Sequence, residues 1–309
     1  MTQVSIVICT FNRPLLLAQA VRSCAVQEGL PHGAIGIFVV DNSPDGNAAA
    51  QVRELAANSP VPITYVGERR SNIARARNAG IAASDAPFIA FLDDDEEASP
   101  RWIAGLLATM ERTGADVVFA PVRPRFETGR APAWDPDARL FTRDMGLPDG
   151  TPAPLLATGA SRGGGTGNCM LRRATCIGSA EPFDPDFGVT GGEDTDFFMG
   201  LSRAGRRFVW CASAPVSEYV PAERSRLDYM ARRTFRQNQS YVRLRMKNSE
   251  RPALMTANLM ARGAVQLGLW SLLALVDRVA RRSDGSRAWL KMNAGAGKLL
   301  WARSGGKHS

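Results

Sequence analysis

The stretch FIAFLDDDEE, residues 88–97, sets five apolar residues against five consecutive acids with no spacer. A short continuous apolar run bounded by polar residues is the pattern of a buried strand. The acids at its tip read in two ways. Consecutive acids are common in solvated turns, but hard divalent cations such as Mg²⁺ and Mn²⁺ take oxygen ligands and share them with a phosphate. The sequence on either side decides between the two.

Upstream, short β-branched runs alternate with helix-period segments. They are SIVIC (5–9), a helix over 14–27, IGIFVVD (35–41), a helix over 47–58, ITYV (63–66), a helix over 72–83, and FIAFLDDD (88–95). This alternation predicts parallel strands with crossover helices, a doubly wound α/β sheet. Ligands of such sheets bind beyond the carboxyl ends of the strands. Polar residues stand there: Thr10-Phe11-Asn12-Arg13, Asp41-Asn42-Ser43 and Asp93-Asp94-Asp95. Next come a helix over 99–113, with Ser99 as N-cap and Pro100 at its first position, and a strand DVVFAPV (116–122). Residues 123–167 are rich in Pro and Gly and weakly periodic, the composition of a mobile lid or of an irregular excursion. NCMLRR (168–173) and RFVWCAS (207–213) regain strand character, with a helix from Asp194 to Ala204 between them.

The chain has 309 residues, enough for one large domain or two small ones, and a formal net charge of +8. The charge is uneven. Residues 221–309 carry 18 Lys/Arg against 5 Asp/Glu, whereas residues 1–220 are net −5. The reading is therefore an α/β domain over 1–220 and a basic helical extension over 221–309. In the extension, the spacing of Leu227, Met230, Ala231, Phe235, Tyr241 and Leu244 lets most of them line one helix face, with Arg and Lys on the other. Gly263 to Val276 is apolar except for Gln266 and Ser271, short of the roughly 20 residues that span a bilayer. It reads as a core or dimer helix, or as an interfacial helix drawn by its flanking Arg to anionic lipid. Five cysteines, at 9, 24, 169, 176 and 211, show neither CxxC spacing nor the density of a disulfide framework. With no basic lead before the first apolar run, a reduced, cytoplasmic chain is expected.

Taken in order, SIVICTFNRP (5–14), VVDNSPDG (39–46), NIARARNAGI (72–81), FIAFLDDDE (88–96) and FDPDFGVTGGEDTDFFMGLSRAGRRFVW (183–210) resemble an inverting glycosyltransferase of family 2 with the GT-A fold. The similarity is to bacterial exopolysaccharide enzymes of the succinoglycan-type glucosyltransferase group. It implies a Rossmann-like mixed sheet flanked by helices. It also implies transfer of a hexose from a nucleoside-diphosphate sugar, a UDP-sugar first, to a saccharide or lipid-linked saccharide, with Mn²⁺ or Mg²⁺ as cofactor.

By the same resemblance Thr10, Asn12, Arg13 and Asp41 hold the base, and Arg75 and Asn78 lie near the nucleotide. Asp93 takes the nucleotide side, Asp95 the metal, and Asp94 assists either. If the strand pleat continues, Asp94 points away from its two neighbours, so that one outer carboxylate can address the ribose and the other the ion. Other readings of the same residues stay open. Asp41-Asn42-Ser43 fits an Asx turn, Asn72 fits an N-cap with Arg75 and Arg77 solvated on its helix, and Glu96 and Glu97 fit solvated acids near a helix N-terminus.

Inverting transfer needs a general base for the acceptor hydroxyl. The resemblance gives this role to Asp194, with Glu193 second, although an acid opening a helix is favoured there as a cap in any case. Family members often carry a metal-binding His after the last core strand. Here that region reads VSEYVPAERSR (216–226), far in sequence from His32 and His308, and Glu218 is the substitute ligand. Arg224, Arg226, Arg232, Arg233 and Arg236 read as solvated or as diphosphate contacts.

The expected partners are the sugar donor, the acceptor, a peripheral inner-membrane surface and, through Gly263–Val276, a second copy. Nucleic acid is not expected, because the basic charge sits on helices with apolar faces and few exposed aromatics. A sugar-phosphate nucleotidyltransferase would carry a Gly-rich loop after its first strand, and CTFNRP has no glycine. A non-catalytic scaffold would have lost Asp93, Asp95 and Asp194.

Overall fold

The computed structural model describes residues 2–31, 33–153, 164–280 and 285–302. His32, His308 and residues 154–163 of the Pro/Gly-rich excursion lie outside them. The chain forms β1 (Val4–Thr10), α1 (Pro14–Ala25), β2 (Ile35–Asp41), α2 (Ala49–Ala57), β3 (Ile63–Gly67), α3 (Ile73–Ala82) and β4 (Phe88–Asp93). It continues with β5 (Glu96–Ala98), α4 (Trp102–Thr113), β6 (Val117–Phe119), β7 (Val122–Phe126), β8 (Asn168–Arg172) and α5 (Arg173–Cys176). A 3₁₀ turn at Pro185–Phe187 precedes α6 (Glu193–Arg203), β9 (Phe208–Trp210), β10 (Val216–Val220), α7 (Leu227–Lys247), α8 (Pro252–Ala280) and α9 (Ser286–Leu299).

Seven strands form one sheet in the order β3-β2-β1-β4-β8-β6-β9, and a small sheet has the order β5-β10-β7. β8 runs antiparallel to β4 and β6, so the large sheet is mixed. Helices cover both of its faces, which is why its strands read as continuous apolar runs rather than alternating ones. On one face Ile6, Ile8 and Val39 pack with Leu17, Val21 and Leu106. On the other Val7, Val40 and Phe91 pack with Ala74, Ala76 and Phe197. Each large aliphatic buried this way contributes about 1.5–3 kcal/mol. Gly80 lets α3 lie flush on the sheet, because a Cβ there would collide with Val7 of β1 and press on Val40 of β2.

Three local expectations change. β4 stops at Asp93 and Asp94-Asp95 form a turn into β5, so the pleat does not carry through the three aspartates. The single strand over 116–122 is two strands in different sheets, broken at Ala120-Pro121, where proline has no N–H for a ladder. Ser99 does not cap α4. The Ser99 N–H bonds Pro215 O at 3.3 Å and the Ser99 carbonyl accepts from Trp102 at 3.0 Å, a turn after which Arg101 is the cap residue.

The chain divides into two compact units, Met1–Arg125 with Arg139–Val189 and Glu193–Tyr219, and Phe126–Ala138 with Thr190–Gly192 and Val220–Ser309. In the second unit α7, α8 and α9 pack closely through glycine. A Cβ on Gly295 of α9 would lie 2.7 Å from Gly263 O of α8, and one on Gly297 would strike the backbone of Phe235 in α7. α8 overturns the expectation of a short apolar segment: Pro252–Arg278, 27 residues, is long and apolar enough to cross a membrane. Arg262 is the sole charge between Pro252 and Val276. Nor is α8 a core helix of this chain, since 11% of its apolar window is buried.

All five cysteines are free thiols. Burial pushes Cys9 and Cys24 up to about 12 and Cys176 up to about 11, so none is a ready nucleophile.

Candidate active site

The register of the parallel strands lines up their carboxyl ends. Asp41 pairs with Thr10 on one side and Gly67 on the other, and Cys9 pairs with Asp93. Thr10 and Asp41 therefore stand in one row and Asp93 one register position before it, all at the sheet edge where α/β sheets bind ligands.

Asp94 and Asp95, in the turn beyond β4, both face Arg13 from the loop after β1. The Arg13 guanidinium donates to Asp94 Oδ1 at 2.8 Å and to Asp95 Oδ2 at 2.9 Å, and the Thr10 hydroxyl donates to Asp94 Oδ2 at 2.8 Å. Asp94 is thus fixed by two donors and 5% exposed. Burial pushes its carboxyl up to about 6, with Arg13 opposing and Asp95 adding to the rise. Asn12 opens this loop with φ 56°, a left-handed backbone that Asn tolerates better than most residues, and its side-chain oxygen accepts from Asn47. Such a conformation is a feature of ligand loops.

Arg77, for which a solvated helix position is one of the open readings of the sequence, is buried. It pairs with Glu193 at the first position of α6 and lies 3.9 Å from Asp93 Oδ1. Burial lifts the Glu193 carboxyl, Arg77 opposes the rise and Asp194 adds to it. Glu193 Oε2 is buried with no hydrogen-bond partner among the described residues. Beside it, Asp194 Oδ1 accepts from the Thr195 N–H at 2.6 Å and the Thr195 hydroxyl at 3.2 Å, so it closes the first turn of α6. Its Oδ2 accepts no hydrogen bond among the described residues and faces Gly165, whose Cβ would lie 3.6 Å away. The two acids expected from sequence are therefore different in kind, one spent on an ion pair and one with a free oxygen. Asp194 is close enough to Asp93 to raise its pKa, behind burial and Asp95.

Glu96 is the clearest departure. It is 1% exposed, accepts from the Asp93 N–H at 3.0 Å and pairs with Arg143 at 2.7 Å. It is not a solvated acid, and burial sets its carboxyl well above the usual range. β5 and β10 place Glu96 directly opposite Glu218, a like-charge pair that would repel. Arg143, 3.6 Å from Glu218, bridges them. Gly167 fits against this bridge, since a Cβ would come within 2.7 Å of Glu96 Oε1. Sequence reading missed Arg143, because it lies in an aperiodic stretch with no motif around it. The one signal was compositional: buried acids need a cation.

On the other flank, Asp41 is fully buried and accepts four hydrogen bonds. These come from the Ser43 N–H at 3.0 Å, the Ser43 hydroxyl at 2.5 Å, the Ala48 N–H at 2.9 Å and the Tyr65 hydroxyl at 3.2 Å. The Asx turn is thus present. Asn72 caps α3, accepting from the Arg75 N–H at 3.1 Å. The structure does not bring Arg75 or Asn78 into the aspartate cluster. Arg75 pairs with Glu181 at 3.4 Å, and the buried Asn78 carboxamide exchanges both of its hydrogen bonds with the Phe183 backbone.

Among the described residues the cluster sets Asp93, Asp94, Asp95, Glu96, Glu193, Asp194 and Glu218 against Arg13, Arg77 and Arg143, a formal surplus of four negative charges. Among them no three acids, His or Cys converge as a ready metal cage. Mg²⁺ and Mn²⁺ do not require one, because one or two carboxylates with substrate phosphates and water suffice. An all-oxygen donor set in a negative, partly buried cluster fits the chemistry of such an ion; Asp95 is paired with Arg13 at 2.9 Å and Glu218 lies 3.6 Å from Arg143.

Comparison with known proteins bears on the family and the fold. Residues 5–174 match the sequence profile described as glycosyl transferase family 2. The succinoglycan biosynthesis protein ExoM of Rhizobium meliloti (strain 1021) is 36% identical over 241 residues, covering 78% of this chain and 74% of that protein. The mannosyltransferase PcManGT of Pyrobaculum calidifontis, solved with GDP-Man and Mn²⁺, shares the fold. Its TM-score is 0.63 at 18% identity, over 98% of this chain and 88% of that one. TarS 1–349 of S. aureus, solved with UDP, gives a TM-score of 0.54 at 16% identity, over 98% and 91% of the two chains.

Proposed function

The chain belongs to glycosyl transferase family 2, and from that premise we propose that it moves a hexose, with inversion, from a UDP-sugar to a saccharide or lipid-linked saccharide in exopolysaccharide synthesis. One observation carries the reading: at the carboxyl end of β4, Asp93 stands within electrostatic reach of Asp194, an acid at the start of α6 with an uncommitted oxygen. Donor-side carboxylates and a candidate base thus share one cluster. Thr10, Asn12, Arg13 and Asp41 line the base side of the donor, and Asp93 the ribose side.

Asp194 Oδ2 takes the acceptor hydroxyl proton while that oxygen attacks the anomeric carbon from the face opposite the departing nucleoside diphosphate. Arg77 holds Glu193 and so fixes the first turn of α6, which carries Asp194. Arg13 holds Asp94 and Asp95 together. Asp93 and Asp95 would hold Mn²⁺ or Mg²⁺, which supplies charge neutralisation of the leaving diphosphate. The basic helices α7 to α9 favour work at an anionic membrane surface, the cytoplasmic face of the inner membrane, and a lipid-linked acceptor would be met there.

The test is a panel of UDP-, GDP- and dTDP-sugars with Mn²⁺, scored by release of free nucleoside diphosphate, with EDTA and Asp95→Ala as controls. Release from one donor, lost in both controls, supports the reading and names the sugar. If no donor is hydrolysed and calorimetry finds no binding of UDP or GDP with Mn²⁺, the reading fails.

A further inference from the structure

Where α7 turns into α8, a cavity of about 310 Å³ is lined by Arg245, Arg251, Arg262, Tyr241, Ser249 and Asn258, with no acid in its wall. Among the described residues no acidic side chain pairs with Arg251 or Arg262. Three guanidiniums with hydroxyl and amide donors, set beside Leu254, Met255 and Leu259, offer the chemistry that recognises phosphate oxygens.

The cavity is continuous with an apolar stripe. Along α8, Asn258, Arg262, Val265, Leu269, Leu272 and Val276 recur every three or four residues, steps that return to one helix face, and Arg251 immediately precedes the helix. The stripe is cationic and polar up to Arg262 and apolar beyond it. Val265, Leu269, Leu272 and Val276 are 70%, 51%, 59% and 48% exposed. From Arg262 to Val276 the stripe runs roughly 21 Å at 1.5 Å per residue. A face with a phosphate-binding end and a hydrocarbon-binding body matches one kind of molecule, an amphiphile with an anionic head.

We infer that this pocket seats the phosphate headgroup of an anionic phospholipid while α8 lies along the bilayer surface with its stripe among the acyl chains. The inference rests on the membrane-surface reading given above and specifies the ligand. A second copy of the chain is a poor occupant, because residues 221–309 carry 18 Lys/Arg against 5 Asp/Glu and would repel one another. A spanning helix is also a poor fit. At the middle of α8, Gln266 Oε1 accepts from Lys298 Nζ at 2.7 Å, and Arg287 lies 5.5 Å from the Trp270 ring. Crossing the bilayer would carry these α9 charges into hydrocarbon, whereas lying on the surface leaves them in water.

The experiment is flotation of the full chain with vesicles of phosphatidylcholine alone and of an equimolar mixture of phosphatidylcholine and phosphatidylglycerol. Three variants accompany it: Arg251→Ala/Arg262→Ala in the pocket, Arg232→Ala/Arg233→Ala as a charge-matched control on α7, and Leu269→Asp on the stripe. Unchanged thermal melts establish that each is folded. The expected result is binding to the mixed vesicles only, weakened on the order of tenfold or more by the pocket pair, much less by the control pair, and lost in Leu269→Asp. Equal weakening by both arginine pairs overturns the pocket and leaves general charge attraction. Absence of wild-type binding overturns the membrane-surface reading as well, and leaves the transfer chemistry to its own donor assay. Inorganic phosphate provides the last arm. If it raises the melting point of the wild type, but not of the pocket pair, as much as a short-chain phosphatidylglycerol does, the ligand is free phosphate and the lipid assignment fails.

Discussion

Arg77 of α3 and Glu193 of α6, 116 residues apart, form an ion pair in which both side chains are 8% exposed. It joins α3, packed on the sheet, to the helix that carries the candidate base.

Removing one partner should therefore be costly. Arg77→Met leaves a buried carboxylate without a counter-ion and is expected to cost about 3–5 kcal/mol, while Arg77→Met/Glu193→Met recovers much of the loss. Urea denaturation of the four proteins in the cycle gives the coupling. A loss below about 1 kcal/mol for the single variant would mean that the pair does not hold α6 in place.

Asp93 sits in a cluster with surplus negative charge, so Asp93→Asn should leave stability in EDTA unchanged or slightly raised. Nucleotide affinity in Mn²⁺ should fall about tenfold or more. Thermal melts and calorimetry with UDP and GDP separate the two effects. Affinity that is insensitive to both Mn²⁺ and the substitution would remove Asp93 from the ligand set.

Asp194→Asn is expected to lower turnover by about 10²–10⁴ with nucleotide affinity unchanged, the pattern of a lost general base. Glu193→Gln should act chiefly through stability, because its carboxylate is paired with Arg77. Equal nucleotide dissociation constants beside unequal rates are the deciding comparison; if Asp194→Asn turns over normally, the base is elsewhere.

Asp41 carries a pH signature. Burial alone would raise its pKa, but the donors from Ser43, Ala48 and Tyr65 overcome burial and set it below the usual carboxylate range. A depressed folded-state pKa gives stability that is present above the unfolded value of about 3.9 and is lost as the pH falls through the folded value. Asp41→Asn should cost about 1–3 kcal/mol at neutral pH, and the gap to wild type should narrow below about pH 4. A gap that is constant from neutral to acid would show that the charge of Asp41 is immaterial.

The parts of this protein legible from sequence are those where one physical requirement dominates. β1, β2 and β4 are buried on both faces, and their uninterrupted apolar runs and the polar residues at their tips mark the strands and the ligand edge together. Arg77, Glu96 and Arg143 were opaque for the opposite reason. Each is a charged residue whose burial depends on a partner distant in the chain, 116 residues away for Arg77 and 47 for Arg143 and Glu96. The turn at Asp94-Asp95 was equally hidden, since only Arg13 and the pairing of β5 with β10 make it preferable to another two residues of strand. In α8 the residues before Gly263, Thr256 and Asn258 among them, broke the apolar pattern without ending the helix.

Close helix packing in the second unit yields a further expectation. Gly295→Leu puts a side chain where even a Cβ would be 2.7 Å from Gly263 O, and should destabilise the helical unit by about 1–3 kcal/mol. Hydrogen exchange of the α8 and α9 amides reads this unit. Unaltered exchange would mean that α8 and α9 separate at little cost.

The state of the thiols has a practical consequence. Cys24, Cys169, Cys176 and Cys211 are buried, and burial raises the pKa of all five cysteines. At neutral pH almost none of this sulfur is thiolate, the form that maleimides and spin-label reagents attack. A single cysteine introduced on an exposed position of α8 or in the loop after β1 would therefore outpace the native ones, so the surroundings of either segment can be reported by site-directed probes in the otherwise unaltered chain.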